Sequence, residues 1–332
     1  MKAKRNYVAI VVAAVIACII TFCATKPRNQ YVSLGGALWH TEYHISFYGN
    51  PNLRDSVLPV LSKVEQSVSM FNPSSVISAI NDNSSTTVDS IFSELYHISR
   101  YVYQQTDGAF DPTVTPLMIQ WGFVEDTGVC PSQYEIDSVL QFVGLDKTSL
   151  SGNKFSKQDP RTQLDFSSFA KGYGCAMVGR MLERNGVENY IIELGGDIAA
   201  KGHNSENKPW TVAIDKPEMQ KDTVVHKSIH TIEITSGGIA TSGNYRNYKQ
   251  VGNRIVSHII NPHTGYSTES DMLSATVIAP NCTLADAFAT AFMVLGFEKS
   301  KQIALSHPEL KVFFIYSDSA GDIQHFSTES KQ

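Results

Sequence analysis

The apolar residues of this chain change period repeatedly along its length, without the regular strand-helix alternation that a doubly wound parallel sheet demands. Leu53, Val57, Leu61, Val64 and Val68 recur at three- and four-residue steps and predict a helix, which Pro59 should kink or delay. A second helix is predicted over 88–105, where Ile91, Leu95, Ile98 and Val102 share one face, and it stops at the turn signal Asp107-Gly108. Runs rich in aromatic and β-branched residues predict strands at 37–48, 163–166, 190–194, 210–214, 230–234, 255–260 and 275–278. Helices are expected near 172–184 and 284–295. This mixed order favours an α+β fold, and no glycine-rich βαβ fingerprint of the dinucleotide-binding kind is present.

With 332 residues, 42% of them hydrophobic and 18% charged, the chain can bury a large core as one domain or two intimate lobes. A formal net charge of -5 supplies no basic face, which sets nucleic acid aside as a partner. Lys2, Lys4 and Arg5 precede an uncharged, mostly apolar run from Tyr7 to Ala24, the pattern of a targeting segment. That run is at the short end of what spans a bilayer, about 17 to 25 residues, so a retained anchor is one outcome. A lipoprotein signal is the other: Cys18 follows Val15, Ile16 and Ala17, while Cys23 follows the bulkier Phe22. Both place the body on the outer side of the cytoplasmic membrane. Residues 1–25 are therefore read as signal or anchor, 26–30 as a short polar tether, and 31–325 as the functional domain. Of the five cysteines, Cys130, Cys175 and Cys282 remain in the body; none forms a CxxC pair, so buried free thiols are expected.

Clusters of Gly, Asp and Ser/Thr interrupt the apolar pattern at predicted strand ends and helix starts, where phosphates and metals bind. The stretch 165–172, Asp-Phe-Ser-Ser-Phe-Ala-Lys-Gly, sets a carboxylate, small hydroxyls and Lys171 before a glycine, although an ordinary helix cap with a solvated lysine has the same composition. Asp286 and Thr290 stand at i and i+4 on one predicted helix face and offer hard oxygen ligands suited to Mg²⁺. The same pair equally suits a dipole-stabilising Asp and a Thr bonded back to its own helix. His258 precedes an Asn-Pro-His-Thr-Gly turn at 261–265 and is a candidate general base or a hydrogen-bonded structural histidine; Asn244, Tyr245 and Arg246 follow a Thr-Ser-Gly turn.

In order and content these clusters resemble the bacterial flavin transferase family called ApbE. The matching pieces are Ser-Met-Phe-Asn-Pro-Ser-Ser at 69–75 with Asn81, Thr-Asp-Gly-Ala-Phe-Asp-Pro-Thr at 106–113 with Trp121-Gly122, and 165–173. They continue with Glu-Leu-Gly-Gly-Asp at 193–197, Ala-Thr-Ser-Gly at 240–243 with Tyr245, then 258–265 and 285–296. The resemblance implies an α+β fold of two closely packed lobes like the tunnelling fold, with FAD in the cleft between them. It implies an enzyme that cleaves FAD with Mg²⁺, releases AMP and joins FMN through a phosphoester to a Ser or Thr of a target protein. By the same resemblance Met70, Ala109, Phe110, Asp111, Asp165, Lys171 and Ile260 contact FAD. Asp286, Thr290 and a backbone oxygen at Ser168 hold the metal, and His258 is the candidate base. The target would carry an Asp-x-x-Ser/Thr-Gly-Ala-Ser/Thr motif, as in subunits of membrane redox pumps; Asp271 to Thr276 lacks its glycine, so self-modification is not expected. Two positions depart from the family pattern: no acidic residue follows closely after Lys171-Gly172, and Arg246 stands where Glu is common. An FAD pyrophosphatase, a noncatalytic flavin-binding lipoprotein and, more remotely, an adhesion lipoprotein are the competing readings.

Overall fold

A computed structural model describes residues 28–124, 130–216, 219–220, 223–224, 227–243, 248–251, 254–268 and 270–328. The targeting segment and the 244–246 cluster lie outside these residues. No helix among the described residues is long and apolar enough to cross a membrane.

An eight-stranded sheet organises the chain. Its strands are β1 (Gln30–Leu38), β2 (Thr41–Gly49), β3 (Tyr190–Leu194), β4 (Asp197–Lys201), β5 (Ser236–Gly243), β6 (Met272–Ala279), β7 (Lys311–Ser317) and β8 (Ile323–Ser327). They lie side by side in chain order, and every neighbouring pair is antiparallel. Long insertions between sequential strands, rather than crossovers, carry the helices. Four of these matter most: α1 (Arg54–Val68), α2 (Ser90–Gln105), α3 (Ser167–Arg184) and α4 (Cys282–Leu295).

Alternation along β2 shows how the sheet chooses its faces. Tyr43, Ile45 and Phe47 are buried toward the helices, whereas His44 and Tyr48 are exposed. On the helical face α3 packs on β3 and β4, and α4 packs on β5, β6 and α3. α4 buries eleven of its fourteen residues, so a polar side chain on it has no route to bulk water except through a cleft. Each fully buried Phe or Leu of this layer contributes about 1.5–3 kcal/mol. The opposite face is covered by a hairpin of Trp210–Lys216 and Lys227–Ile234, whose Trp210, Val212, Ile214, Ile232 and Ile234 close on Ile198 and Ile239. β4 is thus covered on both sides, with Ile198 facing the hairpin and Ala199 the helices.

A smaller core stands apart, formed by Leu117, Trp121, Ile136, Val143, Val256 and Ile260. Trp121 Nε1 donates to the Gly265 carbonyl at 2.7 Å and ties the helix Thr115–Gln120 to the 261–265 turn.

Several sequence expectations shift here. The strand expected at 37–48 is a hairpin: the chain reverses at Trp39 and His40, with φ of +52° and +60°. Neither residue is a Gly, Asn or Asp, so nothing in the composition announces the turn. The strand expected at 163–166 is not formed and the segment joins no described sheet; Asn81 holds both backbone groups of Leu164 at 2.9 and 2.8 Å, and the Asp165 N–H reaches the Pro112 carbonyl at 2.7 Å. The segment 255–260 divides into a short strand, Arg254–Ser257, and a bend in which Ile260 bridges to Ser267. Pro59 does not end α1, which runs through it on an exposed position. The buried face of α2 is Phe92, Leu95, Tyr96, Ser99 and Val102, leaving Ile91 and Ile98 half-buried. Cys175 and Cys282 are buried free thiols as expected, whereas Cys130 is only half-buried.

Candidate active site

Where the two cores meet, a cleft of about 370 Å³ opens. Ala109, Phe110, Asp111, Asp165, Ser168, Lys171, His258, Ile260, Asp286 and Thr290 all line it. Residues more than a hundred positions apart thus converge, because the antiparallel sheet sets α3 beside α4 and the small core opposite both.

α3 begins at Ser167 without a side-chain cap on its preceding residue. Asp165 supplies the missing acceptor: its Oδ1 takes the Ser167 N–H at 2.7 Å and its Oδ2 the Ser167 hydroxyl at 2.7 Å. Burial raises the Asp165 carboxyl above its ordinary pKa, opposed by those two bonds. Asp111 is likewise raised by burial, and its oxygens are engaged by the Thr113 N–H at 2.8 Å, the Thr113 hydroxyl at 2.6 Å and the Leu145 N–H at 3.1 Å. This carboxylate braces the cleft wall. Met70 is the one sequence candidate absent from the lining; its Sδ accepts from the Thr115 hydroxyl at 3.9 Å.

The centre of the site is the contact between α3 and α4. A Cβ on Gly172 would fall 2.6 Å from the Cys282 carbonyl oxygen and 2.8 Å from the Asp286 Cβ, so only glycine lets the helices approach this closely. The Gly172 N–H donates to Asp286 Oδ2 at 3.1 Å. One turn further along α4 the Thr290 hydroxyl donates to the Ser168 carbonyl at 3.3 Å. A carboxylate, a hydroxyl and a carbonyl oxygen are therefore presented together at one edge of the cleft.

Asp197 completes a charge cluster that the sequence had not singled out as a site residue. Lys171 Nζ stands 2.7 Å from Asp197 Oδ2 and 4.0 Å from Asp286 Oδ2. The two carboxylate side chains are 3% and 4% exposed and the lysine 34%; Lys171 and Asp286 line the cleft, while Asp197 stands behind them. Asp197 Oδ2 is buried and takes no well-directed hydrogen bond, so its contact with Lys171 is one of charge. Burial would lower the Lys171 pKa, but Asp197 and Asp286 outweigh it and keep the ammonium protonated. Burial pushes the Asp286 carboxyl well above its usual range and the nearby Asp197 adds to this, against Lys171 and the Gly172 N–H. Two buried carboxylates beside one ammonium cannot both be ionised cheaply, so Asp286 holds a proton that a bound cation would displace. The signal for Asp197 was available: it ends the Gly-Gly turn at 195–196 that the sequence presents as a cluster.

His258 is half-buried and lines the same cleft, on the bend after Ser257. The Ser257 hydroxyl accepts the Ile259 N–H at 3.2 Å, and the Ile259 carbonyl accepts the Thr268 N–H at 2.9 Å, which fixes the segment carrying the imidazole. His263 lies in the turn beyond, exposed, with Nε2 2.7 Å from the Asp107 carbonyl oxygen.

The family model described as "ApbE family" matches residues 39–314. The chain belongs to the ApbE family. Among relatives, an FAD:protein FMN transferase of Vibrio cholerae is 32% identical, with 92% of this chain and 93% of that protein aligned. One of Escherichia coli K12 with the same name is 31% identical over 87% of this chain and 88% of its own length. Among solved structures, the flavin transferase ApbE of Vibrio cholerae superposes with a TM-score of 0.79 at 30% identity, covering 91% of this chain and 98% of that one. The apo flavinyl transferase ApbE of Pseudomonas stutzeri gives 0.80 at 27% identity, covering 91% and 96%. The mixed α/β fold is the ApbE fold, and the helix contact at Gly172 lies within the matched region of this ApbE-family chain.

Proposed function

We propose that this chain is an FAD:protein FMN transferase, which cleaves FAD, joins the FMN phosphorus to a Ser or Thr hydroxyl of an acceptor protein and releases AMP. One observation carries the reading: the Asp286 carboxylate, Thr290 hydroxyl, Ser168 carbonyl and Lys171 ammonium converge on one cleft that His258 also lines. Such a set suits an anhydride, whose cleavage needs its charge neutralised and its phosphates positioned.

The oxygen donors, and a buried carboxyl that ionises only against a neighbouring positive charge, fit a divalent cation, Mg²⁺, held by Asp286, Thr290 and the Ser168 carbonyl oxygen. When bound, the ion supplies charge neutralisation at the phosphate oxygens. Lys171, kept protonated by two carboxylates, binds the phosphates from the same side. Val114, Met118, Ile260 and Pro262 give the cleft an apolar wall on which the flat isoalloxazine rests, and about 370 Å³ is within the usual range of ligand pockets. The acceptor oxygen forms a bond to the FMN phosphorus while the bond from that phosphorus to the bridging oxygen breaks. AMP departs with the bridging oxygen, and the acceptor's proton passes to His258.

Incubating the protein with FAD, Mg²⁺ and a soluble protein bearing the Asp-x-x-Ser/Thr-Gly-Ala-Ser/Thr motif is expected to give a flavin-fluorescent acceptor band that survives denaturation, with one AMP released per flavin attached. AMP release without a labelled band would identify a pyrophosphatase instead. The basic and apolar segment at residues 2–24 supports a body outside the cytoplasmic membrane, facing acceptors such as redox-pump subunits. Protease added to spheroplasts should then degrade the chain, and survival in a soluble cytoplasmic pool would defeat that placement.

Asp197→Asn gives a further expected result. Breaking a buried ion pair costs about 3–5 kcal/mol when both partners are enclosed. Here the lysine is a third exposed, so water takes over part of the role and a loss nearer 1–2 kcal/mol is expected in denaturant melts. Transfer at saturating FAD should slow by roughly 10- to 100-fold, as when a partner behind a metal ligand is removed. Unchanged stability together with an unchanged rate would reject the role given to Asp197.

A further inference from the structure

Beside the catalytic cleft lies a second groove of about 400 Å³, on the sheet face that carries the hairpin. Gly195 and Thr241 line both, so the two spaces meet at these residues. One wall of the groove is four successive residues of the strand Trp210–Lys216, namely Thr211, Val212, Ala213 and Ile214. Side chains alternate across a strand, so four in a row can border one space only if it runs along the strand's edge. Among the described strands this one pairs only with Lys227–Ile234, and no described residue of that partner borders the groove. Among the described residues the groove therefore follows an unpaired backbone edge, where every second residue turns its N–H and C=O outward.

We propose that this groove docks an extended segment of the acceptor protein as an added strand on the edge at 211–214, and that Gly195-Gly196 is the sill over which its hydroxyl enters the cleft. The inference rests on the transferase reading, since the occupant is the second substrate of that reaction. A folded protein cannot enter a cleft of about 370 Å³, but an extended segment can. Four residues of edge span about 13 Å, matching a short peptide run, and main-chain pairing binds such a run with little regard to its side chains. The floor is made by the outward residues of β2 and β3, with Ser46 and Ile191 facing each other in register and His44 opposite Glu193. Glu193 is fixed there by the His44 Nδ1 at 2.8 Å and the Gly196 N–H at 2.7 Å, so the polar end of the groove is also its junction with the cleft. At that junction Gly195 has φ of +60°, and a Cβ on it would lie 2.9 Å from Thr41 Oγ1 and 3.1 Å from the Lys171 stem. Gly196, with φ of +95°, has nothing within 4 Å of a Cβ position, and the passage over it stays open.

The test uses the whole chain with FAD, Mg²⁺ and the motif-bearing acceptor protein. Ser46→Trp and Ile191→Trp fill the groove from two neighbouring strands of its floor without touching the cleft; Thr231→Trp, on the exposed face of the partner strand and outside the groove, is the control. Both groove variants are expected to raise the acceptor KM by about tenfold or more, the effect of spoiling one strong interface anchor, with FAD affinity and the Thr231→Trp kinetics as in wild type. An acceptor KM within about twofold of wild type in both groove variants would overturn the proposal. So would a changed sedimentation state of the free variants, which would assign the groove to a second copy of the chain. If wild type releases AMP from FAD but labels no acceptor, the transferase reading falls and the docking proposal with it.

Discussion

Asp286→Ala is expected to lower transfer by roughly 10³-fold or more at saturating FAD, because it removes the one charged oxygen proposed to hold the cation. Thr290→Ala should cost less, since water can replace a neutral hydroxyl. The thermal behaviour separates loss of a ligand from loss of packing. Burial, then Asp197, raises the Asp286 carboxyl above its usual range in the folded protein. The folded state without metal therefore holds a proton that the unfolded state gives up, and this group's contribution to stability falls as pH rises above the ordinary carboxylate value. Mg²⁺ competes with that proton. The rise in Tm on adding Mg²⁺ should be larger at about pH 8 than at about pH 6 in wild type, and absent in Asp286→Asn, which keeps the side chain's shape. Undiminished turnover in Asp286→Ala, or a Mg²⁺-dependent Tm shift that persists in Asp286→Asn, would reject the assignment.

The same residue shows what could be read before the structure. The i, i+4 spacing of Asp286 and Thr290 put both on one helix face, and the face they share meets the start of α3. What spacing could not carry was the partner: the approach of α3 depends on the missing Cβ of Gly172, a long-range packing fact that appears in sequence only as one more glycine. The strands at 190–194 and 275–278 were legible because alternation or continuous burial marks them. The hairpin at 37–48 was not, since its reversal uses Trp39 and His40 in a left-handed conformation that tertiary packing, rather than residue type, imposes. Asp111 illustrates a different limit. Its place in the cleft wall agrees with its cluster, yet its oxygens turn to Thr113 and Leu145, a direction no linear pattern encodes. Asp197 was visible as a residue after a Gly-Gly turn, but its pairing with Lys171 follows from β4 lying under α3. The groove at 211–214 was beyond reach, because an unpaired strand edge is a property of the sheet and not of the strand.

His258→Ala is expected to slow transfer by about 10²- to 10⁴-fold, or roughly 3 to 5 kcal/mol of barrier, while FAD affinity stays near that of wild type. His258 is the titratable side chain that the 258–262 segment gives to the cleft lining, and the bonds at Ser257 and Ile259 hold that segment in place. A neutral imidazole there can take the proton of the acceptor hydroxyl as its oxygen bonds to phosphorus, so the wild-type rate should fall when acid protonates the ring, and the variant should lose that dependence. His263 supplies the contrast. Its Nε2 lies 2.7 Å from the Asp107 carbonyl oxygen, so it ties the 261–265 turn to the turn at Asp107-Gly108. His263→Ala should therefore loosen the cleft rim, lowering Tm and raising the FAD KM modestly, with little change in the rate at saturation. Stopped-flow rates of acceptor labelling, measured for both variants at saturating FAD, decide between these roles. If His258→Ala loses FAD affinity yet keeps its saturated rate, the imidazole binds rather than abstracts, and the base must be sought among the carboxylates around Lys171.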